Sequence, residues 1–449
     1  MTFSALILAA GKGTRMKSNL PKVIHPIGGK PMLQHVVDAA RAAGAAEIVV
    51  VIGHGGETVK SSVKSVDHWV EQAEQLGTGH AVKLGLRGVS KPQTIVLYGD
   101  VPMIQSETIT DLVNRKSAVL CAELDDPTGY GRVVIDLDGY AQRIIEHKDA
   151  NDSELKINKI NTGILTASTE HLIQWCEALN CNNAQGEYYL TDVVEMANDN
   201  GQSMQAVTLA DIHEGEGVNN RVQQARLERV FQQRMAEKLM IEGVTLQDPS
   251  RLDVQGSVTV GSDCHIGANV QLYGDVSLGD GVVIEANCVI KDAVIGSNTR
   301  IRAFSHLEGA SVGQFAEIGP YARLRPGTQL ADQTKIGNFV ETKNVHMGQG
   351  SKANHLTYLG DSLIGENTNI GAGTITCNYD GANKHQTVMG NNVFIGSNAA
   401  LVAPVKIGDG ATVAAGSVIT TDAEPNALVV ARAKQRVISG WKRPVKSSK

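Results

Sequence analysis

The chain has no CxxC pair and no cysteine spacing of the zinc-binding kind. Its six cysteines, Cys121, Cys176, Cys181, Cys264, Cys288 and Cys377, are scattered, which argues for buried free thiols in a reducing compartment and against a disulfide or zinc scaffold. Excess positive charge is missing too. The formal net charge is -6, so no basic field points to nucleic acid or anionic lipid. Phosphorylated small molecules stay compatible, because a local cluster of cations suffices for them. Long hydrophobic runs are also absent. The opening run, Ala5 to Ala10, has no basic residue before it and is far too short to span a bilayer, so it reads as a buried strand, and the expected location is the cytoplasm.

What is present is 449 residues with 42% apolar and 20% charged content, the make-up of a globular protein too long for one ordinary core. The first part, residues 1–218, alternates short apolar runs with helical stretches. Leu6 to Ala9, Ile48 to Ile52 and Thr94 to Tyr98 read as strands covered on both faces. Met32 to Ala43 repeats Leu33, Val36, Val37 and Ala40 at helical spacing before Gly44. This is the grammar of an α/β, Rossmann-like domain. Residues 219–243 read as a connecting helix with Leu227, Val230, Phe231, Met235 and Leu239 on one face.

Residues 244–449 follow another rule. An aliphatic residue recurs every six positions through Val260, Ile266, Leu272, Leu278, Ile284 and Ile290, and after five-residue steps through Ile295 to Leu307 and Val312 to Ile336. It returns at Ile364 and Ile370 and runs from Ile395 to Ile419. Such a period fits neither helix nor simple strand alternation. It describes a triangular prism of parallel strands, one flat side per repeat, around a stacked aliphatic core. The pattern resembles the hexapeptide-repeat left-handed β-helix family, whose members are usually trimers and often acyltransferases; the handedness comes from that resemblance. The repeat breaks from Thr376 to Val388, which is expected to leave the prism as a loop suited to binding or subunit contact.

Directly after the first strand stands Leu8-Ala9-Ala10-Gly11-Lys12-Gly13-Thr14-Arg15-Met16, followed by Leu20-Pro21-Lys22. Small residues at a strand end let backbone N–H groups approach phosphate, and Arg15 and Lys22 add positive charge. Taken alone, such a turn can serve shape only. The string is neither GxGxxG nor GxxxxGK[ST], so dinucleotide binding and P-loop hydrolysis find no support. Asp100 in Tyr98-Gly99-Asp100-Val101-Pro102 is either a turn aspartate or a carboxylate holding Mg²⁺ on a triphosphate beyond a strand end.

Together with Gln72-Ala73-Glu74-Gln75-Leu76-Gly77-Thr78-Gly79, these strings resemble the signature of sugar-phosphate nucleotidyltransferases. Gly129-Tyr130-Gly131-Arg132, Glu146-His147-Lys148-Asp149 and Asn161-Thr162-Gly163 narrow the resemblance to uridyltransferases. In the second half His355-Leu356-Thr357-Tyr358-Leu359-Gly360-Asp361, the string from Asn369 to Gly381, Phe394 to Asn398 and the tail Gly440 to Pro444 resemble the acetyltransferase part of the bifunctional uridyltransferase/acetyltransferase family. The match is in order over essentially the whole chain.

The resemblance implies that UTP and UDP-N-acetylglucosamine lie against Leu8, Ala9, Ala10, Gly11 and Lys22, with uracil near Gln72, Gly77 and Thr78 and further contacts from Tyr98, Gly99 and Asp100. The sugar would lie near Gly131, Glu146 and Asn161. Mg²⁺ would be held by Asp100 and Asn219, and Arg15 and Lys22 would serve catalysis. In the β-helix, Arg325, Lys343, Tyr358 and Asn369 would bind glucosamine 1-phosphate. Acetyl-CoA would lie along Ala372, Asn378, Tyr379, Ser397, Ala415 and Arg432. A lone histidine on a solenoid is most simply a surface residue. Within these strings, His355 becomes the base that accepts a proton from the amine, with Glu341 a candidate to orient it.

The implied activity is acetyl transfer from acetyl-CoA to glucosamine 1-phosphate, then uridyl transfer from UTP, as a homotrimer supplying cell-wall and lipopolysaccharide precursors. The competing readings are a single-activity nucleotidyltransferase with a regulatory repeat domain and one with a trimerising stalk. The long prism and the group Arg325, Lys343, His355 and Tyr358 argue against the first, and an assay of thiol release separates all three readings.

Overall fold

A computed structural model of the chain describes residues 2–53, 55–183 and 185–446. It divides into two compact units, Met1–Arg234 and Met235–Lys449. Among the described residues no helix is long and apolar enough to cross a membrane.

The first unit is built on a nine-stranded sheet. Its parallel part runs His68–Glu71, Glu47–Ile52, Phe3–Ala9, Gln93–Tyr98. Every residue of Phe3–Ala9 and of Glu47–Ile52 is buried, as expected for strands covered by helices on both faces. Met32–Ala42 supplies one cover through Leu33, Val36, Val37 and Ala40. Because Phe3–Ala9 has Glu47–Ile52 on one side and Gln93–Tyr98 on the other, its carboxyl end opens a crevice of the kind that takes ligands in α/β sheets. Beyond Gln93–Tyr98 the sheet becomes mixed. Lys159–Ser168 runs antiparallel to both Gln93–Tyr98 and Ala118–Glu123, and Met204–Thr208, Tyr140–Ile145 and Arg132–Ile135 complete it.

A helix spans Arg221–Ile241. Leu227, with Val230 and Phe231 beside it, packs with Met16, Ile27 and Met32 in the first unit, whereas Ala236 and Leu239 belong to the core of the second.

The second unit is a left-handed parallel β-helix. The six-residue anchors stack directly on one another: Ile266 faces Ile284, which faces Ile301, then Ile318 and Ile336. All five are buried in one continuous aliphatic core. The excursion is shorter than the break in the repeat suggests. Ile375–Cys377 and Thr387–Met389 keep their pairing with neighbouring coils, so only residues 378–386 leave the prism. Thr376 and Thr387 are buried because small hydroxyl side chains can fill core positions that lack an aliphatic anchor. Cys121, Cys176, Cys264 and Cys288 are buried free thiols, and Cys181 is exposed.

Candidate active sites

The crevice in the first unit is a cavity of about 280 Å³. Leu8, Ala9, Ala10 and Gly11 line it from the end of the first strand, Lys22 from the short turn Lys22–Ile24, Gln72, Gly77 and Thr78 from the segment leading into helix Thr78–Gly85, and Tyr98 and Asp100 from the end of Gln93–Tyr98. Gln75 and Glu187 also line it; neither was singled out from sequence, where nothing distinguishes them from surface polar residues. Gly99 is buried and does not line the cavity.

At one side of the crevice the cationic and oxygen-bearing groups converge. The Lys22 ammonium contacts Asp100 Oδ2 and donates to Asn219 Oδ1 at 3.2 Å, and Arg15 donates to the same Asn219 oxygen at 3.0 Å. Two oxygens aimed at one cationic group make a donor set that also fits a hard divalent cation, which takes oxygen ligands and often only one or two from protein. The described residues contain no cluster of three or more His, Cys, Asp or Glu that could hold a metal, so substrate oxygens would have to complete its coordination.

The sugar-site candidates Gly131, Glu146 and Asn161 do not line this cavity but are linked to one another. Asn161 N–H donates to the Gly131 carbonyl at 2.9 Å, Asn161 Oδ1 accepts from Gly163 N–H at 2.9 Å, and Thr191 donates to Glu146 Oε1 at 3.4 Å. Burial raises the Glu146 pKa, with Asp149 and Asp192 adding to the effect. Burial also pushes the Tyr98 hydroxyl far up, Asp100 and Glu146 reinforcing it, so Tyr98 offers a neutral phenol between the charged halves of the crevice.

On the β-helix, Arg325 pairs with Glu341 at 2.8 Å. Glu341 is therefore engaged by Arg325, and its expected role as the orienter of His355 is not what the geometry shows. Lys343 lies against the ammonium of Lys384, which lowers its pKa. Lys384 comes from the 378–386 excursion and was missed from sequence, because a single lysine in a polar loop carries no periodic signal. Asp361 lies beside the pair. Burial would raise its pKa, but hydrogen bonds from Asn344 at 2.8 Å and Asn378 at 2.5 Å, with Lys343 and Lys384, hold it below the usual carboxylate range. Lys343 faces Gly360 on the next coil, and the Tyr358 hydroxyl and Asn378 amide both lie over Gly360. Arg325, Lys343, Tyr358, Asn378 and Lys384 thus form one neighbourhood. Three cations here, against the two carboxylates Glu341 and Asp361, leave an arrangement that suits an anion.

His355 and Asn369 are on the other sheet. Strand Lys352–His355 pairs with Lys335–Asn338 on one side and with Asn369–Ile370 on the other, and the corner residue Leu356, at φ 48°, turns the chain toward Tyr358. Ala372, Ser397 and Ala415 occupy equivalent corners of successive coils. The Ala372 carbonyl accepts from Asn398 N–H at 2.7 Å, the Ser397 carbonyl from Gly416 N–H at 2.8 Å, and the Ala415 carbonyl from Arg432 at 2.7 Å. Tyr379 projects from the excursion, 60% exposed.

Residues 5–147 match the model of the MobA-like NTP transferase domain, and residues 257–292 and 386–421 match the bacterial transferase hexapeptide (six repeats). Three curated proteins align end to end with the chain. The "Bifunctional protein GlmU" of Marinobacter nauticus is 54% identical over 98% of this chain and 99% of its own. That of Cellvibrio japonicus is 55% identical over 99% of each, and that of Stenotrophomonas maltophilia 54% identical over 99% and 98%. Among solved structures, a UDP-glucose pyrophosphorylase complexed with UDP-glucose aligns at 18% identity and a TM-score of 0.43 over 51% of this chain and 98% of its own. With identity above half along nearly its whole length, and both domain types in the same order, the chain belongs to the family of bifunctional GlmU proteins.

Proposed function

We propose that the chain synthesises UDP-N-acetylglucosamine at two separate sites, acetyl transfer taking place on the β-helix and uridyl transfer in the α/β crevice. The observation that carries this reading is that one polypeptide bears two separate clusters of cationic side chains, each suited to phosphate charge. One is Arg15 and Lys22, beside Asp100 and Asn219; the other is Arg325, Lys343 and Lys384 near the coil of His355.

In the first reaction Arg325, Lys343 and Lys384 hold the phosphate of glucosamine 1-phosphate, assisted by Tyr358 and Asn369. His355 takes a proton from the amine, whose nitrogen attacks the carbonyl carbon of acetyl-CoA. The C–N bond forms, the C–S bond breaks, and the imidazolium returns its proton to the departing thiolate. A positioned base of this kind contributes about 10²–10⁴-fold. The column Ala372, Ser397 and Ala415, with Arg432 over it, lines the coenzyme A path, and Asn378 and Tyr379 close over it.

In the second reaction a phosphate oxygen of N-acetylglucosamine 1-phosphate attacks the α-phosphorus of UTP, and pyrophosphate leaves as the new P–O bond forms. No covalent enzyme intermediate is needed; the protein has to bring two anions into line and offset their repulsion. Arg15 does this from the glycine-rich turn and Lys22 from the segment that follows it. Mg²⁺ held by Asp100 and Asn219 would supply further neutralisation of the triphosphate. Leu8, Ala9, Ala10, Gly11, Gln72, Gly77 and Thr78 seat the nucleotide, while Tyr98, Gly131, Glu146 and Asn161 seat the sugar.

The working state is a homotrimer through the β-helix, acting in the cytoplasm. Supporting self-association, Phe304, Tyr321 and Phe339 stack along one corner with ring centroids 4.9 and 5.3 Å apart while staying about half exposed, an apolar column of the sort that partners cover.

The test is to supply glucosamine 1-phosphate and acetyl-CoA, follow free thiol release, then add UTP and follow pyrophosphate. Both products are expected from the purified chain. No thiol release, beside pyrophosphate release when N-acetylglucosamine 1-phosphate and UTP are supplied directly, would reduce it to a nucleotidyltransferase with a passive solenoid.

A further inference from the structure

We propose that Asn338 is the residue that positions His355 for acetyl transfer, by accepting a hydrogen bond from its Nδ1–H. The proposal rests on the reading of His355 as the base. Asn338 Oδ1 lies 2.9 Å from His355 Nδ1, and the two residues are in register on adjacent coils. An imidazole whose Nδ1–H is held by an oxygen carries its free lone pair on Nε2, so the hydrogen bond sets which nitrogen is presented to accept the substrate's proton.

Three backbone features hold the pair in place. Leu356 N–H donates to the Asn338 carbonyl at 3.0 Å. Thr357 Oγ1 donates to the His355 carbonyl at 2.7 Å. Gly337 approaches the next coil so closely that a Cβ there would lie 1.9 Å from the Asn354 carbonyl oxygen, so the strands carrying Asn338 and His355 meet at a distance that excludes any side chain between them. The obvious carboxylate, Glu341, is bonded to Arg325 instead. A neutral amide suits this role because it fixes the orientation of the ring while adding no charge beside it.

The charged groups lining the same cleft are Arg302, paired with Glu317, and Lys335. Adding a carboxylate at position 338 would change that balance toward the imidazolium.

The experiment compares full-length Asn338→Ala, Asn338→Asp and His355→Ala proteins, with uridyl transfer on each as the measure of folding. For Asn338→Ala, kcat of acetyl transfer is expected to fall about 10–100-fold with KM for both substrates unchanged. Asn338→Asp keeps the acceptor and is expected to recover most of kcat, with the acid limb of its kcat/KM profile moved to higher pH, because the carboxylate favours the protonated ring. Wild-type kcat in Asn338→Ala, or equal impairment of both variants with no movement of the acid limb, would overturn the positioning role. Retained acetyl transfer in His355→Ala would instead overturn the base assignment beneath it. An inactive His355→Ala protein beside an unimpaired Asn338→Ala protein would remove Asn338 alone.

Discussion

Lys343 and Lys384 hold their ammonium groups together on the β-helix, with Arg325 near and Asp361 as the adjacent counter-charge. Such a pair is unfavourable until an anion arrives, and charge-assisted hydrogen bonds to that anion then relieve the repulsion. Lys384→Ala is therefore expected to raise KM for glucosamine 1-phosphate about 10–100-fold in steady-state kinetics while sparing KM for UTP; an unchanged KM would remove Lys384 from the phosphate site. In the other half, Asp100→Ala removes the carboxylate that meets Lys22. Uridyl transfer is expected to fall by about 10²–10³-fold or more, with thiol release intact. At this scale, what the sequence revealed was what its motifs carry. Ten residues expected around the nucleotide line one cavity: Leu8 to Gly11, Tyr98 and Asp100 sit at strand ends that the apolar runs mark, and Lys22, Gln72, Gly77 and Thr78 are carried by the motif strings. Lys384 and Asn338 were not legible. One stands in a loop without periodicity, and the other belongs to the preceding coil, far from His355 in the chain although bonded to it.

Each coil of the β-helix meets its neighbours through backbone as well as side chains, and some contacts leave no room for a Cβ. At Gly396 an added Cβ would lie 2.4 Å from the Ala415 backbone nitrogen. Gly396→Ala is expected to cost about 1–3 kcal/mol, seen as a lower melting temperature, and to weaken acetyl-CoA binding, because the displaced coil carries Ser397 and Ala415. The effect should stay local, since solenoid coils touch only their neighbours; loss of uridyl transfer in the same protein would contradict that. Asp361 ties the coil of Asn344 to the root of the excursion at Asn378. Its folded-state pKa is depressed, so its stabilisation is complete above the unfolded value of about 3.9 and disappears as pH falls through the lower folded value. Asp361→Asn should flatten the acid side of the stability profile, measured by thermal melting from neutral pH downward, and a profile unchanged from wild type would show the carboxylate to be unimportant. The repeat was readable because each anchor is an aliphatic residue buried at a fixed interval. The limits of the excursion were not, because Thr376 and Thr387 hold core positions with hydroxyl side chains that break the pattern without leaving the prism. The mixed half of the first sheet was likewise unreadable, since strand direction depends on pairings between segments distant in sequence, such as Leu165 with Val96.

For the molecule as a whole, the chemistry demands that one site manage triphosphate charge and the other neutralise an amine, and these two functions share no residue. Chelation of Mg²⁺ is accordingly expected to suppress pyrophosphate release while leaving thiol release unchanged; equal suppression of both would tie the acetyl site to a metal. The most direct test of the account is to measure both activities on Asp100→Ala and His355→Ala in the intact chain. The account predicts complementary losses, uridyl transfer in the first protein and acetyl transfer in the second. Loss of both activities in either protein, with its melting temperature unchanged, or loss of neither, would contradict it.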